Sequence, residues 1–240
     1  MKTRILFFSI AVTALMATSC SIYHPQAVDI PLINHKGDLR IDANASASVW
    51  LILPDAVNLN ATASYGINDW LSGQLHLNYG GENWYLQAAP GVYFPLGGKA
   101  VFETYVGAGY GGASYTNNSS DTVASSYSYN GKYLLPFVQF NIGWRNLGPV
   151  DLAFGLKTGT FMPDFEYHKY KSDGTENTDE FVHYNTPNFL LEPQLQFGVG
   201  VDKVKFTMRV GYTFMDDLND ASNKMYHDFI TVGAGVTLCF

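Results

Sequence analysis

From Gly37 to the last residue, apolar and polar side chains alternate with a period of two in one segment after another, and no apolar run beyond Ala17 approaches the length of a membrane helix. Such alternation sends successive side chains to opposite faces of a β-strand. The first segment sets the pattern: Leu39, Ile41, Ala43, Ala45, Ala47 and Val49 share one face, and Asp38, Arg40, Asp42, Asn44, Ser46 and Ser48 share the other. It returns in Val57 to Tyr65, Leu71 to Tyr79, Trp84 to Phe94, Phe102 to Tyr110, Leu134 to Trp144, Val150 to Leu156, Phe189 to Phe197, Phe206 to Tyr212 and Phe229 to Phe240. Charged residues make up 15% of the chain and aromatics 15%, with 23 Gly, whereas a soluble domain carries about 25% charge. Strands so poor in charge suit hydrocarbon. A sheet placed there must close on itself, because an open edge would leave backbone N–H and C=O groups unpaired in lipid. The expected fold class is therefore all-β: a closed antiparallel transmembrane β-barrel of about ten strands, with eight as the alternative if the first two segments pair differently.

Connection lengths give the barrel two unlike ends. Four connections are tight, including Ile67-Asn68-Asp69-Trp70, Pro95-Leu96-Gly97-Gly98 and Asn146-Leu147-Gly148, whereas three others are long, over 114–131, 163–187 and 215–228. Tight and long alternate along the chain, as periplasmic turns and extracellular loops do. The short connections after the first and third segments fit this less neatly.

The N-terminus reads as an export signal. Lys2 and Arg4 precede an apolar stretch from Ile5 to Ala17, too short for a spanning helix, which needs about 20 residues. Ala17-Thr18-Ser19-Cys20 resembles the lipobox of bacterial lipoproteins, with Ala17 where leucine is usual. The resemblance implies an acylated Cys20 as the mature N-terminus; ordinary cleavage nearby, leaving Cys20 a plain thiol, is the alternative. Residues 1–19 are thus expected to be a signal peptide, 20–36 a lipidated tether without regular structure, containing Pro25 and Pro31, and 37–240 the barrel. With Cys20 lipidated, Cys239 has no disulfide partner. Removal of Lys2 and Arg4 leaves twelve basic residues against 21 acidic ones, a net charge of −9, which argues against nucleic acid as a partner.

Gly235-Val236-Thr237-Leu238-Cys239-Phe240 resembles the β-signal of outer-membrane proteins, with Gly235, Leu238 and terminal Phe240 as its marks. That resemblance implies a client of the barrel assembly machinery. The whole mature chain resembles small outer-membrane barrels of the OmpA-like and Opa-like kind, in a lipid-anchored form of Bacteroidota type. The implied location is the bacterial outer membrane, with its lipids as partners, and no functional motif comes with the likeness.

Eight charged side chains are expected to face the lumen: Arg40, Asp42, Glu103, Asp151, Lys157, Glu192, Lys205 and Arg209. Small barrels fill their interiors with side chains, so an internal salt-bridge network is the expectation and a narrow solute path the alternative. Inward His76 reads as a hydrogen-bond partner, and inward Gly107 and Gly109 as room for neighbours. His168 and His183 fall among Asp164, Glu166, Asp173, Glu176, Asp179 and Glu180, and His227 adjoins Asp228; omptin proteases place acids and histidines outward, but no omptin motif stands here. Ser64, Ser72 and Ser114 lack the glycine setting of a nucleophile elbow. Asp216-Asp217-Leu218-Asn219-Asp220 offers oxygen ligands without the spacing or closing Glu of an EF-hand. Tyr115, Asn117, Asn118, Ser119, Ser120, Tyr127 and Tyr129 are residue types of adaptable contact surfaces, and Trp70, Trp84 and Trp144 suit interfacial girdles.

The function expected is that of a structural or interaction component, presenting outer loops or docking to another outer-membrane complex. A narrow passive channel is the alternative and an outer-membrane hydrolase a distant one. No enzymatic activity, cofactor or metal is expected.

Overall fold

The computed structural model describes residues 23, 30–50, 53–119, 124–172, 177–215 and 229–240. The expected signal peptide, Cys20, Asp173, Glu176, the acidic segment 216–220, His227 and Asp228 lie outside the described residues. The strands are β1 (Leu39–Trp50), β2 (Leu53–Gly66), β3 (Leu71–Tyr79), β4 (Asn83–Pro95), β5 (Ala100–Ser119), β6 (Ala124–Leu147), β7 (Val150–Ser172), β8 (Asn177–Tyr184), β9 (Asn188–Val201), β10 (Val204–Tyr212), β11 (Phe214–Met215) and β12 (Ile230–Cys239). All pair antiparallel in one sheet, which closes where β12 meets β1, from Arg40 opposite Cys239 to Val49 opposite Ile230, and where β9 meets β7. Ten of the strands form the wall. The other two are accessories: β8 lies along the distal part of β7, and β11 continues the line of β10 against β9.

The wall is polar inside and apolar outside. Leu59, Leu75, Leu77, Leu86, Val106, Phe140, Phe154, Leu195, Phe206, Met208 and Val210 project outward and are exposed, while Asn60, Thr62, Gln74, His76, Gln87, Gln139, Asn141, Gln194, Gln196 and Thr207 point inward and are buried. At about 1.5–3 kcal/mol per large apolar side chain held in water, the outward residues just named would cost on the order of 20–30 kcal/mol. Hydrocarbon removes that cost, so the polarity of the wall makes it a membrane-spanning barrel.

Two of the long connections turn out to be strand. β5 and β6 stay paired from Ala100 opposite Trp144 to Ser119 opposite Ser125, and β7 runs to Ser172 with β8 folded against it. At 24 and 23 residues, β6 and β7 exceed the span of a membrane strand by about 13 residues, or about 40 Å of strand. The segments 114–131 and 163–187 are therefore mostly a paired sheet standing beyond the membrane.

The outward face records where the membrane ends. Along β6 it reads Trp144, Ile142, Phe140, Val138, Pro136 and Leu134, then Lys132 and Asn130; along β7, Leu152, Phe154, Leu156, Thr158, Thr160 and Met162, then Asp164, Glu166 and His168. From Trp144 to Leu134 is about 33 Å of strand, or about 25 Å of height at a tilt near 40°, the thickness of an outer-membrane apolar band. Trp84 and Tyr110, in edge-to-face contact at 5.5 Å, sit at the loop edge of this band, and Trp144 and Trp70 at the turn edge. Beyond Leu134 the inward face changes too. Tyr129, Tyr133, Phe161, Phe165 and Tyr184, with Leu190, form a buried, mainly aromatic cluster at the loop end.

Inward glycines make room for these rings. A Cβ on Gly109 would lie 1.9 Å from the Tyr85 hydroxyl, and one on Gly111 would lie 2.5 Å from the Tyr133 ring.

Candidate functional site in the lumen

A barrel of about eight strands is just filled by its own side chains, so a ten-stranded wall leaves space for one extended chain. The protein's own N-terminal segment takes that space. Tyr23, Ile30, Leu32 and Ile33 are fully buried within the lumen, so residues 23 and 30–33 of the expected tether lie inside the barrel, without regular strand structure over 30–34, while Asn34, His35 and Lys36 are exposed.

Its attachments start at the turn end. Asp38 pairs with Arg145, and Arg145 also donates to the Leu32 carbonyl at 3.0 Å. Arg40, on the first turn of strand beyond this, donates to the Pro31 carbonyl. Leu32 adopts φ +53°, a left-handed conformation that turns consecutive amides the same way. The Leu32 N–H reaches Glu103 Oε2 at 3.1 Å and the Ile33 N–H reaches Oε1 at 2.6 Å. Asn141 and the Tyr105 hydroxyl also donate to this carboxylate, at 3.1 and 3.2 Å. One level higher the Gln196 amide pairs with the Ile30 backbone, accepting from its N–H at 3.1 Å and donating to its carbonyl at 3.0 Å. Ile30 and Leu32 pack on Val101 and Ala153 of the wall. Near the loop end the Tyr23 hydroxyl donates to Glu192 at 2.9 Å, and its ring meets Tyr133 and Phe161 edge-on at 5.7 and 5.2 Å.

All eight charged residues named from the sequence are buried in this lumen. Asp42 holds Arg209 by two bonds of 2.9 and 2.7 Å and accepts from Thr237 at 2.7 Å, which ties β1, β10 and β12 together at the closure of the ring. Asp151 receives Lys205 at 3.1 Å and Arg40 at 3.4 Å. Lys157 lies 3.9 Å from Glu192, donates to Gln87 at 3.0 Å and sits over the Phe137 ring at 4.6 Å. Four positive and four negative side chains thus cancel. That balance matters because an unpaired buried charge is costly. His76 Nδ1 and the Thr62 hydroxyl are 2.8 Å apart, and Ser72 donates to Tyr105 at 3.2 Å. At the closure, Gly235 is inward with a Cβ position only 2.3 Å from the Ala43 carbonyl, Leu238 faces out, and Phe240 exchanges backbone hydrogen bonds with Leu39. Cys239 is a buried free thiol.

Sequence reasoning did not anticipate the Asp38–Arg145 pair, Gln196 or the lumenal position of Tyr23 and residues 30–33. The alternation does place Asp38 and Gln196 on inward faces. The segment itself has no periodicity to read, and most of its bonds to the wall reach partners 70 to 169 positions away.

Outside the membrane, His183 Nε2 bonds Asp164 at 2.8 Å on the exposed face, and His168 stacks edge-on with Phe181 at 4.5 Å. Among the described residues no group of three or more His, Cys, Asp or Glu side chains is placed to hold a metal ion.

No family model and no curated protein matches the chain. Solved structures do. The outer membrane protease OmpT from Escherichia coli aligns with a TM-score of 0.58 over 90% of this chain and 100% of its own, at 7% identity. The translocator domain of autotransporter NalP from Neisseria meningitidis aligns over 100% of this chain and 98% of its own, with a TM-score of 0.45 and 10% identity. The shared property is the fold of outer-membrane β-barrels.

Proposed function

We propose that this chain is a lipoprotein of the bacterial outer membrane, acylated at Cys20 and inserted by the barrel assembly machinery, that serves as an interaction scaffold. Its lumen is closed by its own N-terminal segment, and its extended strands meet another component of the envelope. The observation that carries this reading is the filled lumen. Backbone groups from Ile30 to Ile33 are bonded to wall side chains from four strands, and this bonded segment stands in the way of a solute. The β5–β8 sheet outside the membrane supplies a broad outward face, with Lys132, Asp164, Glu166 and His183 on it.

The test combines two measurements on the full chain. In planar bilayers the protein should show no steady open-channel current, and a stable conducting level would favour the passive channel and overturn the scaffold reading. Extracted from its native membrane in mild detergent, it should retain a partner at near-equal stoichiometry. That partner should be lost when Lys132, Asp164 and Glu166 are replaced by alanine. A protein that always extracts alone would remove the interaction role.

A further inference from the structure

The N-terminal segment has a direction. At its C-terminal end Asp38 joins β1 at the turn end of the barrel, where its carbonyl accepts from Gly66 and its carboxylate meets Arg145. Going back along the chain, Leu32 and Ile33 sit by Glu103, Ile30 by Gly155 and Gln196, and Tyr23 by Glu192, Tyr133 and Phe161. On β7 these levels run from Asp151, which holds Arg40, through Gly155 to Phe161. Each of these residues that lies further back in sequence sits higher in the lumen, away from the tight turns and toward the long strands.

The height gained is decisive. Val150 to Phe161 spans about 36 Å of strand, or about 28 Å of height with strands tilted by about 40°. Phe161 adjoins Met162, the last apolar residue before the outward face of β7 turns to Asp164 and Glu166. Tyr23 is therefore level with the loop-side edge of the apolar band. Cys20 precedes it by only three residues, at most about 11 Å of extended chain, and cannot return through a filled lumen to the turn end about 28 Å below. The wall beside Tyr23 is paired sheet, with Phe161 opposite Asn188 on β9 and Met162 opposite Leu134 on β6.

We infer that the mature N-terminus is threaded through its own barrel and stands on the loop side, the outer face of the membrane. An acyl group on Cys20 then anchors in the outer leaflet and not in the leaflet that faces the periplasm. This goes beyond the scaffold reading, since a scaffold with a plugged lumen could equally have kept its N-terminus below. The lumen is too full to pass a diacylated terminus, so the segment must lie in place before β12 seals against β1.

The experiment uses whole cells and the full chain. A short epitope is inserted between Ser21 and Ile22, and intact cells are probed with antibody beside two reference insertions, one between Ser119 and Ala124 on the loop side and one at Asp202–Lys203 on the turn side. The N-terminal epitope should label intact cells like the loop-side reference. Labelling only after permeabilisation, like the turn-side reference, overturns the inference. In the same tagged protein, Ile30→Cys with Gly155→Cys should form a disulfide-linked species in the membrane, because Ile30 Cγ1, the position a cysteine sulfur would take, lies 3.2 Å from a Cβ position on Gly155. Absence of that species shows the segment outside the lumen and also overturns it. Neither readout depends on conductance or on a partner, so the scaffold reading can fail separately.

Discussion

Glu103→Ala tests the grip of the wall on its plug. Glu103 contributes its backbone to the wall opposite Tyr93 and Asn141, and those pairings do not involve its side chain. Its carboxylate receives the N–H groups of Leu32 and Ile33 from the segment and the side chains of Asn141 and Tyr105 from the wall. A buried donor left without a partner costs about 1–3 kcal/mol. Two such donors in a lumen that can admit a water should loosen the segment by about 2–3 kcal/mol, a rise of about 30- to 150-fold in the population with the segment detached. Hydrogen exchange at the Leu32 and Ile33 amides in detergent should accelerate by that factor, and brief current openings should become more frequent in planar bilayers. The heat-modifiable gel shift of the folded barrel should stay unchanged. Glu103→Gln, which keeps one acceptor oxygen, should fall between the two proteins. The reasoning is refuted if exchange at those amides is unaltered in Glu103→Ala, or if the wall loses as much stability as the plug.

Three further perturbations probe the wall. Asp42→Ala strands Arg209 inside the closure between β1, β10 and β12 and should cost about 3–5 kcal/mol, read as a lowered urea midpoint of the heat-modifiable band. Leu195→Arg, on the outward face near mid-membrane and 57% exposed to lipid, should cost about 2–4 kcal/mol in refolding into vesicles, while Asn130→Arg beyond the band should cost nothing measurable. Gly91→Ala would bring a Cβ to 2.3 Å from the Tyr105 ring and 2.7 Å from the Thr104 carbonyl, and the forced shift should cost about 1–3 kcal/mol in the same assay.

Much of the wall was legible because each of its strands solves a local problem, lipid on one side and polar neighbours on the other. Alternation therefore identified the facing of Leu195 and Gln196, or of Phe206 and Thr207, and it put the eight lumenal charges inside. The sheet beyond the membrane was harder to read. In β6 and β7 the aromatic residues Tyr133, Phe161 and Phe165 turn inward while Lys132, Asp164 and Glu166 turn outward, the reverse of the membrane pattern. Tyr, Ser and Asn in such a stretch resemble a loop by composition. The N-terminal segment was illegible for another reason. Its place depends on long-range partners, such as Glu103 for Leu32 and Glu192 for Tyr23, and on the width of a cavity that exists only after the ring has closed.

Cys239 lies on the last strand, inward and buried, opposite Arg40. A thiol in that position reacts with a maleimide only while the final strand is still free. Its loss of reactivity during assembly would therefore time the sealing of the ring, using an atom already present in the chain and no introduced label.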